Sequence, residues 1–392
     1  MKVLQLTLSF EPGGRRRAIT TLAERLGHMG VMADLCCLDH LGCALEEVAP
    51  FFREVESLQR RSVFDARALK KLTRICDRRS TQIIHAHDAA SQLVGAMIRI
   101  WRPRIRLLMT FHRSLGFESG RFRDRLRNAW SCARSGAVIT GSRERRTHFL
   151  QNNFVRSYKV VRIPFGSDTE RFAPNPEFRE QVRREQGWSP ETVVLGAVGH
   201  FGPEKGIDQV LLGFLYLCCR QLPNPPLLVI VGDGTPTQRA ALRHLAEEIP
   251  PGRVFFAGRR PEIEKWFQSF DIFVHAPRLE AFGLVIIEAM AAGLPVVANA
   301  QSGVVDLVRD GSTGFLVPPG EPAKLAHALE QLIRKPELRK TMGEKARQTA
   351  VAEYGADLYA KRHLKLYEDL LAGRKPKGLD EPFSQANIPR SE

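Results

Sequence analysis

The sequence has no apolar run of the 18–20 or so residues needed to cross a bilayer. The longest candidate, Val210–Cys219, covers about half that length and is closed by Arg220. Any membrane contact is therefore expected to be peripheral. Lys2 is followed by a short stretch that alternates like a strand and ends at Glu11, unlike a secretory leader. The seven cysteines are odd in number, and two pairs are adjacent, Cys36–Cys37 and Cys218–Cys219. No Cys-x-x-Cys spacing occurs, which argues against a disulfide framework or a cysteine zinc site and for free thiols in a reducing, cytoplasmic setting. No repeat of about 20–50 residues is present.

Acidic residues are scarce in one half only. The 392-residue chain carries a formal net charge of +15. Residues 1–180 hold 32 Lys and Arg against 18 Asp and Glu, and residues 181–392 hold 26 against 25. One half is expected to meet something anionic, and the other is not. With 43% apolar residues the composition is that of a globular protein, and the length predicts two or three domains.

Short apolar runs, each followed by polar or glycine residues, recur along the chain: Lys2–Ser9, Val31–Leu38, Gln82–Ala86, Arg106–Phe111 and Gly136–Thr140. Buried parallel strands read this way, and the helical pattern of Ala18–Gly30 makes the opening a βαβ unit. Pro174 and Pro176 predict a linker over about 172–191. The alternation restarts with Val193–Val198, Leu227–Val231, Val254–Ala257, Ile272–His275, Pro295–Ala298 and Gly314–Val317, followed by helices over Pro322–Ile333 and Leu358–Leu371. The fold class is α/β, with two doubly wound Rossmann-like domains and ligands expected beyond the carboxyl ends of the strands, in the cleft between the sheets. The expected limits are 1–180 for a basic first domain, 181–357 for a second, 358–372 for a terminal helix and 373–392 for a disordered tail.

The stretch His275–Ala298 combines a strand end, a loop with Glu280, a helix opened by Ala281-Phe282-Gly283, and Glu288 about a turn and a half into that helix. An open helix mouth exposes backbone N–H groups suited to an anion, and the two carboxylates suit hydroxyl groups. A second glycine-rich loop, Gly196–Gly206, carries Lys205, which can set a cation against a phosphate. By spacing alone, each of these residues also fits an ordinary solvated turn or helix face.

Glu280, Phe282, Gly283 and Glu288 together resemble the signature of the retaining glycosyltransferases of family 4, which have the GT-B fold. The likeness extends to Gly13-Gly14, Thr110-Phe-His112, the Gly166-Ser-Asp168 turn, Lys205-Gly206, Gly232-Asp-Gly234 and Gly311–Gly314. It implies that Glu288 binds the ribose of a nucleotide-diphosphate sugar and that Glu280 and His112 contact the transferred sugar. Lys205 and the backbone of Phe282, Gly283 and Leu284 would hold the diphosphate and the sugar, and the N–H groups of Gly13 and Gly14 could approach the diphosphate or the acceptor or form a plain βα turn. His200 stands where the family usually has an arginine, and an imidazole offers neither a permanent charge nor a two-pronged donor. No metal and no other cofactor is implied, and the final helix is expected to return to the first domain. Asp168 reads as structural.

Three basic or histidine-rich clusters remain. Arg15, Arg16 and Arg17 could meet an acceptor phosphate or merely sit in solvent. His85-Ala-His87 could ligate a metal, although no further ligand motif accompanies it. Arg121–Trp130 places Phe122, Leu126 and Trp130 four residues apart, flanked by Arg121, Arg123, Arg125 and Arg127. Such a helix can lie on anionic lipid or turn its stripe into the core. The expected activity is transfer of a hexose from a nucleotide sugar to an anionic or lipid-linked acceptor, with no nucleic acid. Two alternatives stay open: a sugar-nucleotide epimerase or other enzyme on the same fold, and a basic nucleic-acid-binding protein.

Overall fold

The computed structural model describes residues 1–11, 13–42, 45–62, 65–112, 122–152 and 155–376. Its chain divides into two compact units. One comprises Met1–His112, Ser119–Pro164 and the chain from Ala360 on, and the other takes in Phe165–Tyr359.

The first unit runs β1 (Val3–Thr7), α1 (Gly14–His28), β2 (Asp34–Cys37), α2 (Leu45–Val48), β3 (Val55–Ser57), α3 (Ala66–Arg78), β4 (Ile83–Ala86), α4 (Ala89–Trp101), β5 (Arg106–Phe111), α5 (Phe122–Arg134), β6 (Ala137–Thr140), α6 (Arg143–Asn152) and β7 (Val160–Arg162). Its seven strands are parallel, in the order β3-β2-β1-β4-β5-β6-β7. Every residue of β1, β2, β4 and β6 is buried, as expected for strands covered by helices on both faces. β3 and β7, only three residues each, are edge strands that the hydrophobic pattern does not mark.

The second unit runs α7 (Pro176–Glu185), β8 (Val194–Val198), α8 (Ile207–Cys218), β9 (Leu227–Val231), α9 (Pro236–Ala246), β10 (Val254–Gly258), α10 (Ile263–Ser269), β11 (Ile272–His275), α11 (Leu284–Ala291), β12 (Val296–Asn299), α12 (Val304–Leu307), β13 (Gly314–Val317), α13 (Pro322–Arg334), α14 (Pro336–Tyr354) and the start of α15 (Ala356–Leu371). Its sheet order, β10-β9-β8-β11-β12-β13, repeats the doubly wound pattern. The body of α15 belongs to the first unit, where Leu370 packs against Gly136.

The expected linker over 172–191 is not a linker. It contains α7, whose first residue is Pro176, a position where a missing N–H breaks no helical bond. Asn175 caps that helix by accepting from the Phe178 amide at 3.0 Å. Arg179 and Arg183 then clasp Asp271 at 2.6 and 2.7 Å, binding α7 to the second unit. The units divide at Pro164/Phe165, and the expected limit at 180/181 would cut through α7. Moved to Pro164, the charge contrast sharpens: residues 1–164 hold 30 Lys and Arg against 14 Asp and Glu, and residues 165–392 hold 28 against 29.

No helix among the described residues is long and apolar enough to cross a membrane. Cys36, Cys37 and Cys76 are buried free thiols, as expected, Cys132 is buried too, and Cys219 is exposed.

Candidate functional site

In the second unit β8 and β11 are neighbours, and the chain leaves them toward opposite sides of the sheet. The loops beyond their carboxyl ends therefore diverge and open a crevice. Lys205 ends the 3-10 turn Pro203–Lys205 after β8, and Glu280 sits in the loop after β11. Two devices bring these loops together. Gly206, at φ +63°, lies so close to β11 that a Cβ there would fall 1.9 Å from the Ala276 carbonyl oxygen. The Arg278 and Leu279 amides donate to the Glu204 carbonyl at 2.9 and 3.1 Å, and the Arg278 guanidinium donates to the Pro203 carbonyl at 3.0 Å.

Lys205 Nζ consequently donates to Glu280 Oε2 at 2.9 Å. His275 Nε2 reaches the same oxygen at 3.0 Å. Burial pushes the Glu280 carboxyl up, but the His275 hydrogen bond and the Lys205 charge outweigh it and hold the group down at about 2. Glu280 is thus an ionised, buried acceptor.

Gly283, at φ +99° and ψ 57°, turns the chain into α11, which has no side-chain cap. The helix begins at Leu284, after the Ala281-Phe282-Gly283 expected to open it, and its first backbone N–H groups have no partner within the helix. Glu288 is buried within α11 at 1% exposure. The Phe282 ring is buried against Phe165 and Tyr354, with centroids 5.2 and 6.3 Å away, so only its backbone can face a ligand. His200 is exposed and turned to Glu204 of its own loop.

In the first unit Gly13, at φ +146°, precedes α1, whose first residue is Gly14 and which also lacks a side-chain cap. Arg15 donates to the Ser9 carbonyl at 3.1 Å and lies 3.6 Å from Asp88, so it serves its own unit. Arg16 is half-buried and Arg17 exposed. Asp168 accepts from the Glu170 and Arg171 amides, both at 3.2 Å, as its structural reading predicts.

The His85-Ala-His87 pair is engaged by protein groups rather than arranged around a metal. His85 lies 2.8 Å from the Tyr367 hydroxyl through Nδ1 and 2.7 Å from Thr110 Oγ1 through Nε2. His87 lies 2.7 Å from Gln5 Oε1 and 3.0 Å from His112 Nε2. Burial drives all three imidazoles toward the neutral form, His112 down to about 3. Among the described residues no group of three or more His, Cys, Asp or Glu is placed to hold a metal ion.

On α5 the apolar stripe is divided: Trp130 packs against the core, and Phe122 and Leu126 do not. Phe122 and Leu126 are 66% and 49% exposed. Trp130 is half-buried beneath the Arg134 guanidinium, 4.0 Å from its ring centroid. Arg123 is exposed, Arg125 donates to the Asn152 carbonyl at 2.9 Å, Arg127 pairs with Asp124 at 2.8 Å, and Arg121 lies outside the described residues.

The second of the two doubly wound units carries a lysine–glutamate pair beside an open helix mouth. Residues 12–171 match the family model for Glycosyltransferase Family 4, and residues 178–349 match that for Glycosyl transferases group 1. The D-inositol 3-phosphate glycosyltransferase of Corynebacterium glutamicum is 30% identical over 314 residues, 76% of this chain and 74% of that protein. The N-acetyl-alpha-D-glucosaminyl L-malate synthase of Bacillus anthracis is 24% identical over 348 residues, 84% of this chain and 87% of that one. The crystal structure of Anabaena HepE in complex with UDP superposes with a TM-score of 0.84 at 23% identity, covering 94% of this chain and all of that one. The chain belongs to glycosyltransferase family 4 and is a glycosyltransferase with the GT-B fold.

Proposed function

We propose that this enzyme transfers a hexose, with retention of configuration, from a nucleoside-diphosphate sugar to an anionic or lipid-linked acceptor. The observation that carries the donor reading is the meeting of Lys205 and the buried Glu280 at 2.9 Å, beside the uncapped mouth of α11. The ammonium and the helix N–H groups suit a diphosphate, and two carboxylates suit the hydroxyls of ribose and sugar. Relatives fit this reading: HepE structures hold UDP and UDP-glucose.

In the proposed reaction the bond between the sugar's anomeric carbon and the diphosphate oxygen breaks as Lys205 and the helix mouth neutralise the leaving group. The acceptor oxygen bonds to that carbon from the same face, and its proton passes to the departing diphosphate oxygen. Glu280 orients the sugar and Glu288 the ribose. No carboxylate serves as nucleophile and no metal is needed, because the lysine and the helix mouth supply the positive field. The second unit takes the donor, and the basic first unit takes the acceptor. The exposed Phe122 and Leu126 on the basic helix α5 support a peripheral seat on anionic membrane, on its cytoplasmic face.

The test is a panel of nucleotide sugars scored by thermal stabilisation and by release of nucleoside diphosphate with and without acceptor extracts. One donor should stand out in both assays. Release of an altered sugar without any acceptor would move the enzyme to the epimerases.

A further inference from the structure

Glu280 receives two donors on one oxygen. Lys205 Nζ and His275 Nε2 both reach Oε2, and among the described residues no hydrogen bond reaches Oε1. The donors differ in kind. Lys205 is a flexible ammonium on a turn, with its side chain 24% exposed. His275 is the last residue of β11, its side chain only 5% exposed and its ring stacked on Phe273 at 6.1 Å and 17°.

Lys205 has a second claim on it, because a diphosphate arriving at the α11 mouth attracts the same ammonium. Once Lys205 turns to that anion, a buried carboxylate with no other partner would swing or take up a proton. The other side-chain donors of the two loops are engaged elsewhere: His200 faces Glu204, and Arg278 is held by Asp208 and the Pro203 carbonyl.

We propose that His275 is the positioning residue of the donor site, holding Glu280 through Oε2 so that Oε1 stays aimed at a hydroxyl of the transferred sugar while Lys205 serves the diphosphate. The proposal rests on the donor reading given above. It also accounts for a histidine buried at the end of a strand where an aliphatic residue would pack as well.

Two variants separate the hydrogen bond from the packing. His275→Gln keeps an N–H donor near the position of Nε2, and His275→Leu fills the space without one. In steady-state release of nucleoside diphosphate from the accepted donor, His275→Leu should lower kcat by about 10- to 100-fold, the value of a hydrogen bond to a charge. The affinity for nucleoside diphosphate alone should change less than about threefold, because that ligand lacks the sugar. The acidic limb of the His275→Leu pH profile should move toward neutrality, and His275→Gln should recover most of the activity. A His275→Leu enzyme with wild-type kcat and pH profile overturns the proposal, as does a His275→Gln enzyme no better than His275→Leu. If the wild-type protein releases nothing from any nucleotide sugar, the donor reading falls instead. The positioning role is then judged on acid unfolding of the ligand-free protein, where His275→Leu should begin to melt at a higher pH than wild type. Identical acid transitions would end it.

Discussion

Gly206 packs directly against Ala276, its α-carbon so near the Ala276 carbonyl that a methyl group there would fall 1.9 Å from the oxygen. The glycine also sits at φ +63°, where side chains are strained. Together these place Lys205, one residue earlier, within reach of Glu280. Gly206→Ala should therefore cost about 2 kcal/mol or more of stability and displace the lysine. Calorimetric titration should show nucleoside diphosphate binding weakened at least tenfold, beyond what a lowered Tm alone explains. Unaltered binding would mean that the close approach does not set the lysine.

Arg278 and Asp208 form a two-pronged pair, 2.7 Å through Nη1 and 2.5 Å through Nη2, joining the Glu280 loop to the first turn of α8. The Arg278 side chain is 45% exposed, so solvent screens the pair and its share of stability is small. Its value lies in geometry. Asp208→Asn should leave Tm within a degree or two yet lower turnover several-fold, because the loop that aims Glu280 loses one of its ties. Arg278→Lys should do nearly the same, since an ammonium cannot make the paired contact.

Glu280 and Lys205 answer different questions when changed. Glu280→Gln removes the charge that occupies Lys205 but preserves the side chain's shape. Binding of nucleoside diphosphate should be at least as tight as in wild type, while kcat falls by about 100-fold or more. Lys205→Ala should instead weaken that binding by about tenfold or more. A Glu280→Gln enzyme that turns over normally would refute the carboxylate's role.

How far these features were legible in the sequence depends on how local their causes are. The strands were legible because a buried parallel strand needs only its own few apolar residues: Arg106–Phe111, Leu227–Val231 and Ile272–His275 stand where the pattern puts them. α7 was missed because Pro174 and Pro176 read as breakers, whereas a proline at the first helical position starts a helix. Glu280, Gly283 and Lys205 were legible through a motif. His275 was not, since a single histidine at a strand end looks the same with or without a carboxylate above it. The partners of His85 were out of reach for another reason: Tyr367 lies 282 residues away in sequence. One signal was available, for Gln5 is a polar residue in the middle of the buried strand β1 and must find polar company.

The exposed apolar residues of α5 make a prediction about lipid. Replacing Phe122 and Leu126 with Ser removes apolar surface that is 66% and 49% exposed, so folding should be nearly unaffected. Sedimentation with anionic vesicles should fall markedly at low salt, and raising the salt should release the wild-type protein as well. Equal binding to neutral vesicles, or none to anionic ones, would remove the membrane from the scheme.

The histidine network predicts how stability depends on pH. His85 and His87 are buried and His112 is half-buried, and the folded-state pKa values of all three lie below the ordinary 6.5, His112 at about 3. In the unfolded chain each takes up a proton near 6.5, and in the folded chain none does. The unfolded state therefore binds more protons as pH falls, and the stability these groups confer is complete above about pH 6.5 and declines below it. Each histidine contributes a slope of about 1.4 kcal/mol per pH unit, so the three together approach about 4. Glu280 adds to this only below its ordinary 4.5, since its folded pKa of about 2 also lies under the unfolded value. Urea midpoints measured from pH 8 to 5 should accordingly stay flat and then fall steeply below about 6.5. His85→Gln should remove about a third of that slope, because a glutamine in the same place has no proton to gain on unfolding. A wild-type slope that His85→Gln leaves unchanged would show that His85 is protonated in the folded protein, contrary to the effect of its burial.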